Sequence, residues 1–284
     1  MPVKFIAEVS SNHNKDLKRC LRFIDVAAKI GCDAVKFQLF KIERLFASEV
    51  LKKNKDIQKR KQWELPIGFL PRLYKRSKKI GLQFGCTPFY MEAVDELKPY
   101  VDFYKISSYD LLRLDLIKAC GLTGIPVILS TGMANMAEIK EAVDALRLVK
   151  TKDISLLHCV SNYPTLVKDC NLAVINTLRD KFRCKVGWSD HTVSDIVLFR
   201  AVYTWNAEII EFHFDLDTKG REFNIGHCWL PEQISSVIKK IKEGQFADGK
   251  GVKEPKVCEL RERNWRADYH DGLRPLMETR KRLK

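Results

Sequence analysis

The sequence predicts an α/β fold, a closed (β/α)8 TIM barrel with a short C-terminal extension. Three observations predict it. Eight short apolar runs are bounded by breakers, amphipathic helix-length stretches separate them, and no hairpin signal joins neighbouring runs. Strand, helix, strand repeated in this way implies parallel pairing with helices outside. Eight units in about 245 residues suit a barrel. An open doubly wound sheet normally carries a glycine-rich phosphate loop after its first strand, whereas here that strand runs into SSNHNKD.

The expected strands are 4–10, 34–40, 82–89, 103–108, 126–132, 154–161, 186–192 and 209–216. Between the first two, DLKRCLRFIDVAAKIG places Leu17, Leu21, Ile24 and Ala28 on one helical face, and Gly31 supplies a stop. MAEIKEAVDALRLVK places Ile139, Val143 and Leu146 together in the same manner. The barrel is expected over 1–245. Residues 246–284 are expected as a charged extension, partly packed on the barrel or on a partner.

Hydrophobic residues make up 45% of the 284 and charged residues 30%, ordinary for a soluble globular chain. No apolar run is long enough to span a bilayer, and MPVKFIAEVS lacks a secretion signal. The expectation is a cytoplasmic protein with no membrane partner. Nine cysteines without a C-x-x-C pair fit reduced thiols that pack as small hydrophobes. The net charge of +14 gathers in 51–62, 72–79 and the tail. These runs read as solvated faces whose field draws anions inward. They lack the zinc-finger spacing, ribonucleoprotein motif and aromatic interleaving of a nucleic-acid binder, so no nucleic acid is expected.

Polar residues collect at the strand ends, where a barrel builds its active site. They are Glu8, Asn12, Lys36, Gln38, Thr87, Lys105, Ser108, Ser130, Thr131, Asn162, Asp190, His191, Glu211 and His213. His191 and His213 leave consecutive strands on one edge. Two neutral imidazoles so placed are natural ligands for a divalent metal with open positions. Ser189 and Glu211 crowd the same edge. Lys36 and Lys105 interrupt apolar runs and would point into the barrel, where an unpaired cation is costly, so each needs an anionic partner. His158 reads as packing. His227 and Cys228 suggest a second metal site, but a loop after the eighth strand is the preferred reading.

The motifs AEVSSNHNKD, VKFQ, CTPF, YKISS, STGM, HCVSNYPT, GWSDHT and EFHFDLD occur in this order over residues 7–217. Together they resemble the N-acetylneuraminate (sialic acid) synthase family. The resemblance implies a transferase that condenses phosphoenolpyruvate with an open-chain, N-acetylmannosamine-like amino sugar. The products would be a sialic-acid-like nonulosonic acid and phosphate. It implies that His191 and His213 hold a divalent metal, commonly Mn2+, with Mg2+ and Co2+ as other candidates. It assigns Lys36 and Lys105 to the phosphoenolpyruvate carboxylate and phosphate, with Thr87, Ser108, Ser130, Asn162 and Ser189 hydrogen-bonding around that ligand. Glu8 is implied as the base near the attacking water, Glu211 as a group fixing water at the metal, and Gln38 and Tyr163 as neighbours of the sugar. A homodimer is implied as well.

Some features depart from the family pattern. No glycine follows Asn12 and His13, and DTKGREFNIGHCWLP replaces the usual acidic, proline-containing segment after the eighth strand. The chain ends at Lys284, so the expectation is a catalytic barrel without the family's antifreeze-like domain and its sugar-capping arginine. These departures keep two alternatives open. One is a phosphoenolpyruvate-dependent synthase for a different, even phosphorylated, aldose; the other is a lid-less, non-catalytic partner of another synthase.

Overall fold

The computed structural model describes residues 3–283. Eight parallel strands close in chain order into a barrel. They are β1 (Lys4–Glu8), β2 (Ala34–Leu39), β3 (Gln83–Pro88), β4 (Phe103–Ile106), β5 (Val127–Ser130), β6 (Ile154–His158), β7 (Lys185–Asp190) and β8 (Ile209–His213). Strand β8 pairs with β1, His213 lying opposite Glu8. The principal helices are α1 (Leu17–Lys29), α2 (Leu70–Lys79), α3 (Glu92–Leu97), α4 (Leu114–Leu122), α5 (Met136–Leu148), α6 (Val174–Phe182), α7 (Asp195–Phe199) and α8 (Pro231–Gly244). The sequence-based fold class is therefore observed.

Local chemistry sets the helix boundaries. Asp16 caps α1 by accepting from the Lys18 N–H at 2.8 Å. The helix stops where Gly31 adopts φ +90°, a conformation glycine takes without steric penalty. Asn135 and Glu138 form a reciprocal capping box at the start of α5. Each strand ends sooner than its apolar run suggests: at Glu8 rather than residue 10, at His158 rather than 161, at His213 rather than 216. The run continues as chain that has left the ladder and turns over the barrel end.

Side chains alternate across each strand. One set, including Phe5, Val35, Phe84, Tyr104 and Phe212, joins the apolar layer beneath the helices. The other set faces the barrel axis. There Ile6, Ala34, Phe103, Ile128, Leu157 and Ile209 form a separate apolar plug. Beyond the plug, toward the C-terminal ends, the inward positions turn polar: Glu8, Lys36, Thr87, Lys105, Ser130, Ser189 and Glu211, all buried. Two inward positions are glycine because neighbours need the room. A Cβ at Gly85 would lie 2.2 Å from the Phe103 ring, and one at Gly187 would lie 2.1 Å from the Ile209 carbonyl oxygen.

The chain divides into a large unit ending at Gln245 and a small one beginning at Phe246. In the small unit the Asp268 carboxylate accepts from the backbone N–H groups of Met277 (2.7 Å) and His270 (3.0 Å). Asp271 takes a two-pronged hydrogen bond from Arg280 at 2.6 and 2.8 Å. All nine cysteines are free thiols. Among the described residues no helix is long and apolar enough to cross a membrane.

Because the Gly187 conflict is with backbone, Gly187→Ala should destabilise the barrel by about 1–3 kcal/mol, read as a lowered midpoint in urea unfolding. An unchanged midpoint would show that the β7–β8 seam gives way freely.

Candidate active site

A cavity of about 770 Å³ opens at the C-terminal ends of the strands. Its floor is a lattice of buried charge. Lys36 on β2 stands opposite Glu8 on β1 and forms an ion pair with it. Glu211 on β8 approaches both lysines, at 3.9 Å from Lys36 and 3.7 Å from Lys105. Lys105 on β4 also donates to Ser130 Oγ at 2.5 Å, while Lys36 donates to Thr87 Oγ1 at 3.2 Å. Ser189 donates to Glu211 at 3.0 Å. The partners that the buried lysines demand are thus carboxylates: Glu8 on the adjoining strand for Lys36, and Glu211 reaching across the barrel for both.

These contacts set the charge states. Burial alone would lower the Lys36 pKa, but Glu211 and Glu8 outweigh it and hold the ammonium above its ordinary value. Lys105 goes the other way: burial lowers it and Glu211 offsets only part. Burial pushes Glu211 upward, yet Lys105 and Lys36 together hold it at about 2. Lys36 and Glu211 are therefore charged at neutral pH, and Lys105 is the cation that is easier to deprotonate.

The two histidines sit above this floor. His213 ends β8 and His191 lies one residue beyond β7; their ring centroids are 5.5 Å apart. Asp190 secures the turn carrying His191. It accepts from the indole N–H groups of Trp188 (3.0 Å) and Trp229 (2.9 Å) and from the Thr192 hydroxyl (2.7 Å). His191 donates from Nδ1 to the Val160 carbonyl at 2.8 Å, and His213 from Nδ1 to Glu222 at 2.9 Å. That leaves Nε2 of each ring for the cavity, which both line. Burial and then the charge of His213 lower the His191 pKa to about 3, so its imidazole is neutral. Burial lowers His213 too, but Glu222 more than reverses this. A carboxylate on the far nitrogen raises the ring's basicity, as in many histidine metal ligands. The Tyr163 ring packs 4.2 Å from His191 by centroids.

Of the residues to which the family resemblance assigns a role, Lys36, Gln38, Thr87, Lys105, Ser108, Ser130, Tyr163, Ser189, His191, Glu211 and His213 all line the cavity. Two do not. Glu8 lies behind Lys36; its other oxygen accepts from Gln38 at 2.8 Å and the Ser10 N–H at 3.0 Å, so the carboxylate is already engaged. Asn162 is exposed, and its carbonyl accepts from Thr165 in a turn. The Ser161 hydroxyl is buried without a partner, and a Cβ at Gly132 would lie 2.3 Å from it and 2.8 Å from Ser108 Oγ. The glycine keeps this hydroxyl-lined recess open, and its N–H donates to Ser108 at 3.0 Å.

Sequence reasoning also missed the mouth. The basic stretch after β2 carries Arg60 and Trp63 to the cavity, anchored by Phe40, Ile42 and Phe89. The Arg60 guanidinium lies over Phe46 (5.6 Å) and Arg221 over Trp63 (4.9 Å). His227 and Glu222 reach the cavity from the segment after β8. The aromatic residues flanking the basic run, Phe46 and Trp63, were the available signal.

Glu211→Gln should cost about 3–5 kcal/mol, because two buried ammonium groups lose a shared counter-charge. The carboxylate's contribution to stability is present above its unfolded pKa, near 4.5, and is lost as pH falls toward 2. The variant's urea midpoint should therefore be lower at pH 7 and fall less steeply below pH 4.5 than the parent's. Equal midpoints at pH 7 would mean that the lysines do not depend on Glu211.

Comparison with known proteins accords with this geometry. The NeuB family matches residues 23–253. N,N'-diacetyllegionaminic acid synthase of Campylobacter jejuni is 33% identical over 272 residues, covering 91% of this chain and 81% of that protein. Pseudaminic acid synthase of Helicobacter pylori is 30% identical, covering 90% and 78%. The crystal structure of N-acetylneuraminic acid (sialic acid) synthetase from Leptospira borgpetersenii superposes with a TM-score of 0.81 at 34% identity, covering 92% of this chain and 90% of that one. The chain belongs to the NeuB family.

Proposed function

We propose that this barrel condenses phosphoenolpyruvate with an open-chain, N-acetylmannosamine-like amino sugar, giving a nonulosonic acid and phosphate. One observation carries the reading: a cavity with two buried lysines and a hydroxyl-rich wall at its floor and a pair of imidazoles directly above. Lys36 and Lys105, with Thr87, Ser108, Ser130, Ser161 and Ser189, suit a small ligand bearing a carboxylate and a phosphate. Gln38 and Tyr163 face the wider space where a sugar chain would lie. The named relatives make sugar acids of this kind.

The two histidines fit a divalent ion, because each commits Nδ1 to an acceptor and keeps Nε2 for the cavity. His191 and His213 would hold it, manganese being the expected ion. When bound, such an ion supplies Lewis acidity toward the acceptor's aldehyde. The protein's own groups do the rest. Lys36 and Lys105 fix the enol phosphate so that C3 faces the aldehyde carbon. The new C–C bond turns the aldehyde oxygen into an alkoxide and leaves cationic character at C2, where water adds; the proton that water loses ends on that alkoxide, with the ionised Glu211 orienting the water. This departs from the assignment of the base to Glu8, whose oxygens are engaged by Lys36, Gln38 and Ser10; Glu8 instead positions Lys36. As the C2–O bond to phosphate breaks, the bridging oxygen leaves with the phosphate and the lysines hold its charge.

Arg60 and Arg221 at the mouth favour a second reading, an acceptor that is phosphorylated or otherwise anionic at its far end. A panel of N-acetylmannosamine and its 6-phosphate separates the two, with Arg221→Ala raising KM only for the anionic acceptor.

Phosphate release from phosphoenolpyruvate should require both an amino sugar and a divalent metal, and His191→Ala should lower it about a hundredfold or more. Full turnover by His191→Ala in metal-replete buffer, or no release with any amino sugar, would overturn the proposal.

A further inference from the structure

We infer that His213, Glu222, His227 and Cys228 form a second metal site, one that takes a soft divalent ion such as zinc, on the side of His213 turned away from His191. One ligand atom from each lies within 4.8 Å of the others. The segment after β8 brings them together. A short helix, Arg221–Ile225, ends at Gly226 with φ +98°, and the chain then returns beside β8, the Trp229 N–H donating to the His213 carbonyl at 2.9 Å. His227 and Cys228, far from His213 in the expected loop, come to lie against its ring.

Glu222 is the centre of the group. Its Oε1 accepts from the Ser10 hydroxyl at 2.6 Å and the Ser11 hydroxyl at 2.7 Å. Its Oε2 faces the other three donors: His213 Nδ1 at 2.9 Å, His227 Nε2 at 3.6 Å and Cys228 Sγ at 3.6 Å. Donors around a tetrahedral zinc ion stand about 3.3–3.6 Å apart, given bonds of about 2.0 Å to nitrogen and 2.3 Å to sulfur. The observed spacings straddle that range. An Nδ1–H donated to Glu222 is the one proton the His213 corner would have to give up.

His227 supplies the independent observation. It is only 5% exposed, its Nδ1 has no hydrogen-bond partner, and its Nε2 contact with Glu222 is longer than a hydrogen bond. With its proton on Nδ1, the ring keeps an Nε2 lone pair that faces Glu222 without accepting a hydrogen bond, and an ion at Nε2 would use it. The donor set also balances charge. A thiolate, a carboxylate and two neutral imidazoles cancel a dication, so the closed site carries no net charge into the interior. Thiolate with imidazole selects zinc over the harder manganese or magnesium. Binding releases the thiol proton of Cys228, while the His213 proton moves from Nδ1 to Nε2. The ring can then no longer offer Nε2 to an ion shared with His191, so the two seats compete for one histidine.

This site goes beyond the synthase reading and does not rest on it. A barrel that forms no sugar acid could still bind metal here, and a synthase without this site would still release phosphate. The test is cobalt substitution of the whole chain, followed by absorption spectroscopy. One equivalent of Co2+ should give a near-ultraviolet thiolate-to-cobalt band and intense tetrahedral visible bands. Cys228→Ser should abolish the near-ultraviolet band, and His227→Ala should weaken cobalt affinity at least tenfold. His191→Ala and Cys258→Ser, the latter removing the one exposed thiol, should leave the band in place. Circular dichroism confirms that each variant is folded. Cobalt bound without a thiolate band, or a band that survives in folded Cys228→Ser, overturns the inference.

Discussion

The barrel interior depends on charge neutralised across neighbouring strands. Glu8, Lys36, Glu211 and Lys105 lie on β1, β2, β8 and β4, and none is more than 4% exposed. Isolated, any one of them would be too costly to bury. Together they form a balanced set that only a closed barrel can assemble, because β1 and β8 must meet for Glu211 to reach the pair on β1 and β2. The apolar plug beneath keeps water from entering at the opposite end. Two carboxylates and two lysines are neutral overall, but the partners differ in tightness. Glu8 holds Lys36 closely, whereas Glu211 stands 3.7 Å or more from either lysine. That slack leaves Lys105 able to take up an anion without first breaking a short ion pair.

Above the lattice, the cavity has two ends with different chemistry. Toward the axis it is lined by hydroxyls, lysines and the Gly132 recess. Toward solvent it is framed by Phe46, Trp63 and two guanidinium groups stacked on aromatic faces. The inner end comes from strand termini, which the barrel holds rigidly. The outer end comes from two long loops, after β2 and after β8. The inner end is thus held by the barrel frame, and the outer end by segments free to vary without disturbing it.

The sequence made the inner end legible because its signals are local. Alternation marks inward positions, and a lysine in an apolar run must find an anion. The histidines followed from the spacing of β7 and β8. Asn162 was misplaced because the chain leaves the ladder at His158, after which period-two alternation no longer tells which residue faces inward; the buried hydroxyl belongs to Ser161. Glu8 was identified as an important acid, but its engagement with Lys36, Gln38 and Ser10 depends on the β1–β2 register. Arg60 and Trp63 were hidden in a run whose charge reads as a solvated face. His227 and Cys228 were noticed, yet their approach to His213 depends on a loop that returns alongside β8, which no periodicity reveals.

The account turns on the lysine lattice being a seat for a dianionic enol phosphate. The direct measurement is calorimetric binding of phosphoenolpyruvate, without acceptor, to the parent and to Lys105→Met. Loss of a buried, charge-assisted contact of about 2–3 kcal/mol predicts a Kd raised roughly 30- to 150-fold. Equal affinity in the folded variant would contradict the account.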